Sequence, residues 1–379
     1  MTLSGDEPAI EAEAIPGATP APVESLLSEP ATGEPLPSTP AMPSTLAIVS
    51  RGLDLNVAAS AEIRRASLYV GLLWLLSAGP IAAVVWAFSA HQGGFDWLRT
   101  LATGHDLLLV PVGSAFEWLS LVVVIVGFAC LVSISIDAQL VATILIGARA
   151  TGRRLDLRAA LALARLRYWR LVRATLLVFA ILLVPRFVIN RVVMNGQPVG
   201  TDAQDLVVTA INILLSVPFA YVAAGIVLGA VGAWEAVRRS WRLARARFRL
   251  AFLIAIVNTA VSYIAGFALG AGADVLGRLG TAFGIGLTMG PIQIVVLAAI
   301  VAFAIVSIGS LVMTVDALTV GPQIVAFLGM TGYANGLDAT KDPHTPFAAP
   351  RVEPLISRPM KIALVVSAAA AVLAVLNLG

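Results

Sequence analysis

The stretch "SWRLARARFRLAF", residues 240–252, sets four arginines directly against a run apolar enough to begin a membrane span. Around it, Val237, Trp241, Ala244 and Phe248 recur at intervals of four, three and four, and Arg238, Arg242, Arg245 and Arg249 repeat the rhythm one position later. Such spacing predicts a helix with two adjoining faces, one apolar and one cationic. A helix of this kind lies along a membrane surface, its Trp241 and Phe248 in the headgroup boundary and its arginines toward lipid phosphate. The same spacing also serves as a bare topology signal without a specific ligand.

Composition points the same way. The chain of 379 residues is 59% hydrophobic and only 12% charged, outside the range of soluble domains. Residues 1–45 differ from the rest, with seven acidic side chains, nine prolines and neither lysine nor arginine. Without apolar periodicity to offset chain entropy, they read as a disordered acidic tail. The chain opens with no basic region or short apolar run, so no secretory signal is expected and the first span acts as an uncleaved anchor. A single cysteine, Cys130, excludes a disulfide framework and a cysteine metal cluster.

Stretches of the roughly 20 apolar residues that a helix needs to cross a bilayer fall near 67–89, 117–148, 172–190, 206–233, 249–272, 291–328 and 361–378. The expected organisation is a tail over 1–45, a six-span membrane domain over 46–330, a linker over 331–360 and a seventh, C-terminal span over 361–379. The second and sixth runs exceed what a bilayer requires, so each projects or breaks, the sixth at Pro322. Of 25 lysines and arginines, 21 fall in 51–65, 149–173, 238–249 and 341–361, while the alternate connections keep only Arg99, Arg186, Arg191 and Arg278. The positive-inside rule then puts the N-terminus and all four zones in the cytoplasm of a cell whose inner, plasma membrane holds the protein. Trp97, Phe116 and Trp118 fit an aromatic belt on the opposite side.

Internal similarity organises the spans further. "LALARLRYW" at 161–169 aligns with "WRLARARFR" at 241–249, and "LDLNVAASAEIRRA" from Leu53 shares its opening with "LDLRAALALARLRY" from Leu155. "SIDAQLV" at 135–141 aligns with "TVDALTV" at 314–320, which places Asp137 and Asp316 at equivalent positions. The fold class expected is all-α: a polytopic membrane protein of three repeated units, each an amphipathic basic helix followed by a two-span hairpin, with the seventh span as an appendage.

The segments "EAVRRSWRLARARFRLAFLI" and "DLRAALALARLRYWRLV", with the three-hairpin plan over about 51–330, resemble the membrane domain of bacterial glycerophosphoryl diester phosphodiesterases and its stand-alone relatives. In those enzymes a separate soluble barrel does the catalysis, and no segment here could supply one. The resemblance therefore implies a membrane module that anchors, supports or handles lipid-like molecules, and not the hydrolytic activity.

Candidate functional residues are few. Arg158, Arg165, Arg167, Arg238, Arg242, Arg245 and Arg249 are candidate contacts for lipid phosphate. Asp137 and Asp316 are candidate intramembrane polar sites, since a charge within a span costs about 2.5 kcal/mol or more and marks either a pathway or an ion pair at the boundary. Gly225 with Gly229, and Gly266 with Gly270, would let helices approach closely; Pro80, Pro185, Pro218 and Pro322 would kink spans or shape packing, and Glu235 would cap the arginine helix. His91, His105 and His344 lack metal-ligand spacing, and no catalytic motif is present. No cofactor and no enzymatic activity are expected. The partners expected are membrane lipids, anionic ones by charge complementarity, and not nucleic acid. Two readings stand: a lipid-proximal scaffold or accessory module, and a transporter or channel with Asp137 and Asp316 lining a polar path.

Overall fold

The structure is a computed structural model that describes residues 44–91, 115–193, 202–282, 291–333 and 354–377. Residues 1–43 of the acidic tail, Trp97, His105, His344, and most of the 331–360 linker lie outside these residues. Among the described residues every regular element is helical. Seven helical segments among the described residues are long and apolar enough to cross a membrane. The chain is an all-α, multi-pass integral membrane protein.

In chain order the helices are α1 (Thr45–Ala58), α2 (Ser60–His91), α3 (Ala115–Ala150), α4 (Leu157–Val193), α5 (Asp202–Ser216), a 3₁₀ turn (Val217–Phe219), α6 (Val222–Val227), α7 (Ala233–Ala246), α8 (Phe248–Ala282), α9 (Pro291–Tyr333) and α10 (Arg358–Leu376). The Ser44 hydroxyl caps α1 by accepting from Ala47 N–H at 3.3 Å. At the end of α3 the chain turns through Gly152 at φ +76°, a left-handed conformation natural to glycine, and Arg153 N–H closes on Ala148 O at 2.8 Å.

One group of helices comprises α1, α2, α3, α9 and α10; α4 to α8 form the other, joined to it where α3 meets α4 and α6 and where α9 meets α8 and α6. In the first group, α2 crosses α9 with almost no side chain between them. A Cβ on Gly309 would lie 2.9 Å from the Gly71 Cα and 2.7 Å from the Trp74 side chain, and Ser310 Oγ donates to Ser67 O at 3.0 Å. Likewise α1 lies on α9, where a Cβ on Gly52 would meet the Pro322 backbone at 2.5 Å. In the membrane, where lipid tails are as apolar as leucine, such close approach replaces the hydrophobic effect as the force between helices.

Several expectations change at this level. The second basic segment is not a separate helix: α4 runs unbroken from Leu157 to Val193, whereas breaks at Ala59 and Arg247 do separate α1 from α2 and α7 from α8. Pro322 does not interrupt α9, which continues for 43 residues, about 65 Å, and so projects beyond a hydrocarbon core of about 30 Å. Proline removes one hydrogen bond there, and the packing of α1 over Pro322 holds the helix continuous. The seventh span is not an appendage. Ala370, Ala371 and Ala374 of α10 are buried against Val84, Phe116 and Val123 of the first hairpin. Phe116 accordingly belongs to the core, stacked on Phe88 at 5.5 Å, while Trp118 is exposed and suits a belt. Finally, Gly225 packs on Ala236 of α7, but Gly266 and Gly270 have open space where a Cβ would stand, so they bring no helix closer.

Candidate functional site

The fourth span is where backbone regularity fails. Pro218 cannot donate to the helix ladder, and the chain passes from α5 through a 3₁₀ turn to the short α6. Pro80, Pro185 and Pro322 all lie inside continuous helices. The break is held from outside by Ser240 of α7, which is 1% exposed. Its Oγ accepts from Tyr221 N–H at 3.1 Å and donates to Pro218 O at 2.7 Å, satisfying two main-chain groups that the break sets free.

Non-helical backbone at membrane depth persists only where protein buries it or where it borders a wet cavity. Here protein buries Val217 and Tyr221, and the rest of the turn borders a cavity. Ser216, Phe219 and Ala220 form one wall of a cavity of about 910 Å³ bounded by α3, α4, α6, α8 and α9. Gln139, Asn258, Thr259, Ser262, Tyr263 and Gln323 supply its polar groups. The side chains of Gln139, Asn258 and Gln323 have no hydrogen-bond partner among the described residues, although Gln323 is 8% exposed and the Asn258 Oδ1 is buried. No aspartate, glutamate, lysine, arginine or histidine lines the cavity among the described residues.

Neither Asp137 nor Asp316 reaches it. Measured along α3 from Trp118, Asp137 lies about 28 Å away, and Asp316 lies about 36 Å along α9 from Ile292. Both carboxylates lie in the half of their helices that leads to the end of the bundle where the basic segments gather. Asp137 lies within electrostatic reach of Arg165. The Arg165 guanidinium donates to Pro354 O and Leu355 O, each at 2.6 Å, and Tyr69 Oη donates to the same Leu355 O at 2.6 Å. This cluster ties α2, α3 and α4 to the segment that leads into α10. Asp316 shows no ion pair among the described residues; the Thr319 hydroxyl donates to its backbone oxygen at 3.0 Å.

The basic end of the bundle is assembled by such contacts. Arg149 at the end of α3 pairs with Glu62 at the start of α2, and Arg170 of α4 donates to Ala230 O in the loop before α7. Ala230 adopts φ +50°, a strained conformation for a residue with a side chain. On α7 the buried face is Ala236, Val237, Ser240, Leu243 and Ala244. Arg238, Arg242, Arg245 and, beyond the break, Arg249 are exposed, as are Trp234, Trp241 and Phe248. Trp241 also leans edge-on against Phe219 of the broken span. Glu235 stands in the first turn of α7, accepting from Arg242 at 2.8 Å, while Gly232 occupies the cap position proper.

Of the seven arginines singled out by sequence, Arg158, Arg238, Arg242, Arg245 and Arg249 thus face outward. Arg165 donates to the backbone carbonyls of Pro354 and Leu355, and Arg167 is buried. Sequence reasoning missed the cavity. A signal was there: Asn258, Thr259, Ser262 and Tyr263 recur at helical spacing as a polar stripe in an otherwise apolar span. Among the described residues no group of histidine, cysteine, aspartate or glutamate could hold a metal ion. Comparison with protein-family models, with curated proteins and with solved structures finds no match to this chain.

Proposed function

We propose that the protein is a lipid-proximal scaffold or accessory module of the inner membrane, with its N-terminus and basic end in the cytoplasm and with α7 gripping the anionic leaflet. The observation that carries this reading is the surface of α7 and its junction with α8. Four arginines of one stripe are exposed beside exposed Trp234, Trp241 and Phe248, and the opposite face is packed on the bundle. A helix fixed in that way presents cations at headgroup level without ordering cost at the moment of binding. Kinship with the membrane domain of glycerophosphoryl diester phosphodiesterases belongs to the same proposal, resting on the two arginine segments. No enzymatic role is assigned. A transport path along Asp137 and Asp316 has no comparable support, since neither carboxylate lines the cavity.

Each basic side chain near an anionic surface contributes about 1 kcal/mol. With Arg242 partly engaged by Glu235, the stripe should contribute roughly 3 kcal/mol, or about a hundredfold in affinity. The test is native mass spectrometry of detergent-solubilised protein titrated with phosphatidylglycerol or phosphatidylcholine. Wild type should retain phosphatidylglycerol preferentially, and a variant with Arg238, Arg242, Arg245 and Arg249 all changed to glutamine should lose that preference. Equal retention by both proteins would remove the anchoring role.

A further inference from the structure

The cavity has features that the anchoring role leaves unused. We propose that it binds an uncharged, hydroxyl-bearing lipid of the diacylglycerol type, drawn sideways from the bilayer. This goes beyond the surface role of α7 and concerns a different lipid at a different place.

Charge comes first. A phosphate brought into a site without a lysine or arginine would lose its hydration with nothing in exchange, at a cost of several kcal/mol. The cavity has no such residue among its described walls, whereas the exposed arginines of α7 stand outside it. An anionic headgroup therefore belongs on the surface and an uncharged one inside.

Hydrogen bonding comes next. The carboxamides of Gln139, Asn258 and Gln323 each offer a donor and an acceptor, and a hydroxyl or ester group can satisfy both kinds. Gln323 is more than nine-tenths buried yet unpartnered, and the Asn258 Oδ1 is a buried acceptor with no donor. Leaving the Asn258 Oδ1 unpaired costs about 1–3 kcal/mol, which a ligand hydroxyl recovers on binding.

Access comes last. Tyr263 and Phe267 line the cavity and are at the same time 60% and 80% exposed on α8, within a segment apolar enough to cross a membrane. The cavity is thus open toward the bilayer, and Leu171, Val178 and Phe267 provide an apolar bed for acyl chains. Its size, about 910 Å³, is at the upper end of the range for small-molecule sites, about 300–1,000 Å³. A free polyol shares the hydroxyl chemistry but would leave that apolar bed unfilled.

The experiment uses the full chain in nanodiscs with photoreactive diacylglycerol or photoreactive phosphatidylglycerol, peptides of α8 being read by mass spectrometry. The diacylglycerol probe should label α8, and free glycerol in excess should not displace it. Asn258→Leu with Gln323→Leu should reduce that labelling about tenfold or more, as expected for lost hydrogen bonds. Because a double change in a packed region can impair folding, Gly266→Leu serves as a second variant. It projects into the cavity from a position where a Cβ meets nothing, and should reduce labelling several-fold while the protein stays monodisperse. Equal labelling of α8 by both probes would mean that bulk lipid fills the space, and would overturn the proposal. So would labelling unchanged by Gly266→Leu, or displacement by glycerol. The phosphatidylglycerol titration of the arginine variant reports on α7 alone, so either reading can fail without the other.

Discussion

Replacing Ser240 with alanine removes one hydroxyl and should weaken the whole second helical group. That hydroxyl bridges Tyr221 N–H and Pro218 O across the break in the fourth span, at 3.1 and 2.7 Å, from a position 1% exposed to solvent. Alanine offers neither a donor nor an acceptor there, so both main-chain groups would lose their partner. Each such loss costs about 1–3 kcal/mol, and the sum for the pair is about 2–4 kcal/mol once partial relaxation is allowed. The control is Thr314→Ala, whose hydroxyl is exposed and only bonds back to Ser310 O in its own helix; its loss should change stability by less than about 0.5 kcal/mol. Equilibrium unfolding in mixed dodecylmaltoside and dodecyl sulfate micelles, followed by circular dichroism, compares the two. Coincident unfolding curves for Ser240→Ala and Thr314→Ala would refute the claim that α7 latches the broken span.

The glycine crossings and the Arg165 cluster make further predictions. Gly309→Leu would drive a side chain into Gly71 and Trp74, costing about 3 kcal/mol or more, and should yield aggregated protein on size exclusion where Gly270→Leu, with open space around it, runs as wild type. Arg165→Lys keeps the charge but loses the fork that reaches both Pro354 O and Leu355 O. Limited proteolysis should then cut the segment ahead of α10 several times faster, and an unchanged digestion rate would show that Arg165 does not tether it.

Chain order and hydropathy alone made the spans, the basic end and the amphipathic α7 legible, because each depends on periodicity within one segment. The length of the sixth span and the exposed stripe Arg238, Arg242, Arg245 and Arg249 are of this kind. Pro218 and Pro322 show where such reading stops. Both are prolines in apolar runs, yet one breaks its helix and the other does not. The difference lies in the neighbours: Ser240 accommodates a break at Pro218, while Gly52 of α1 lies directly on Pro322.

What the sequence by itself determined is a many-span helical protein with its cations gathered in alternate connections, since crossing a bilayer requires apolar length and satisfied backbone within each segment. Only the tertiary structure decided which polar groups work together. Gln139, Asn258 and Gln323 stand more than a hundred residues apart at the extremes, and Arg165 and Leu355 nearly two hundred. Hydrogen bonds and close packing act over a few ångströms in space, and distance along the chain carries no information about them.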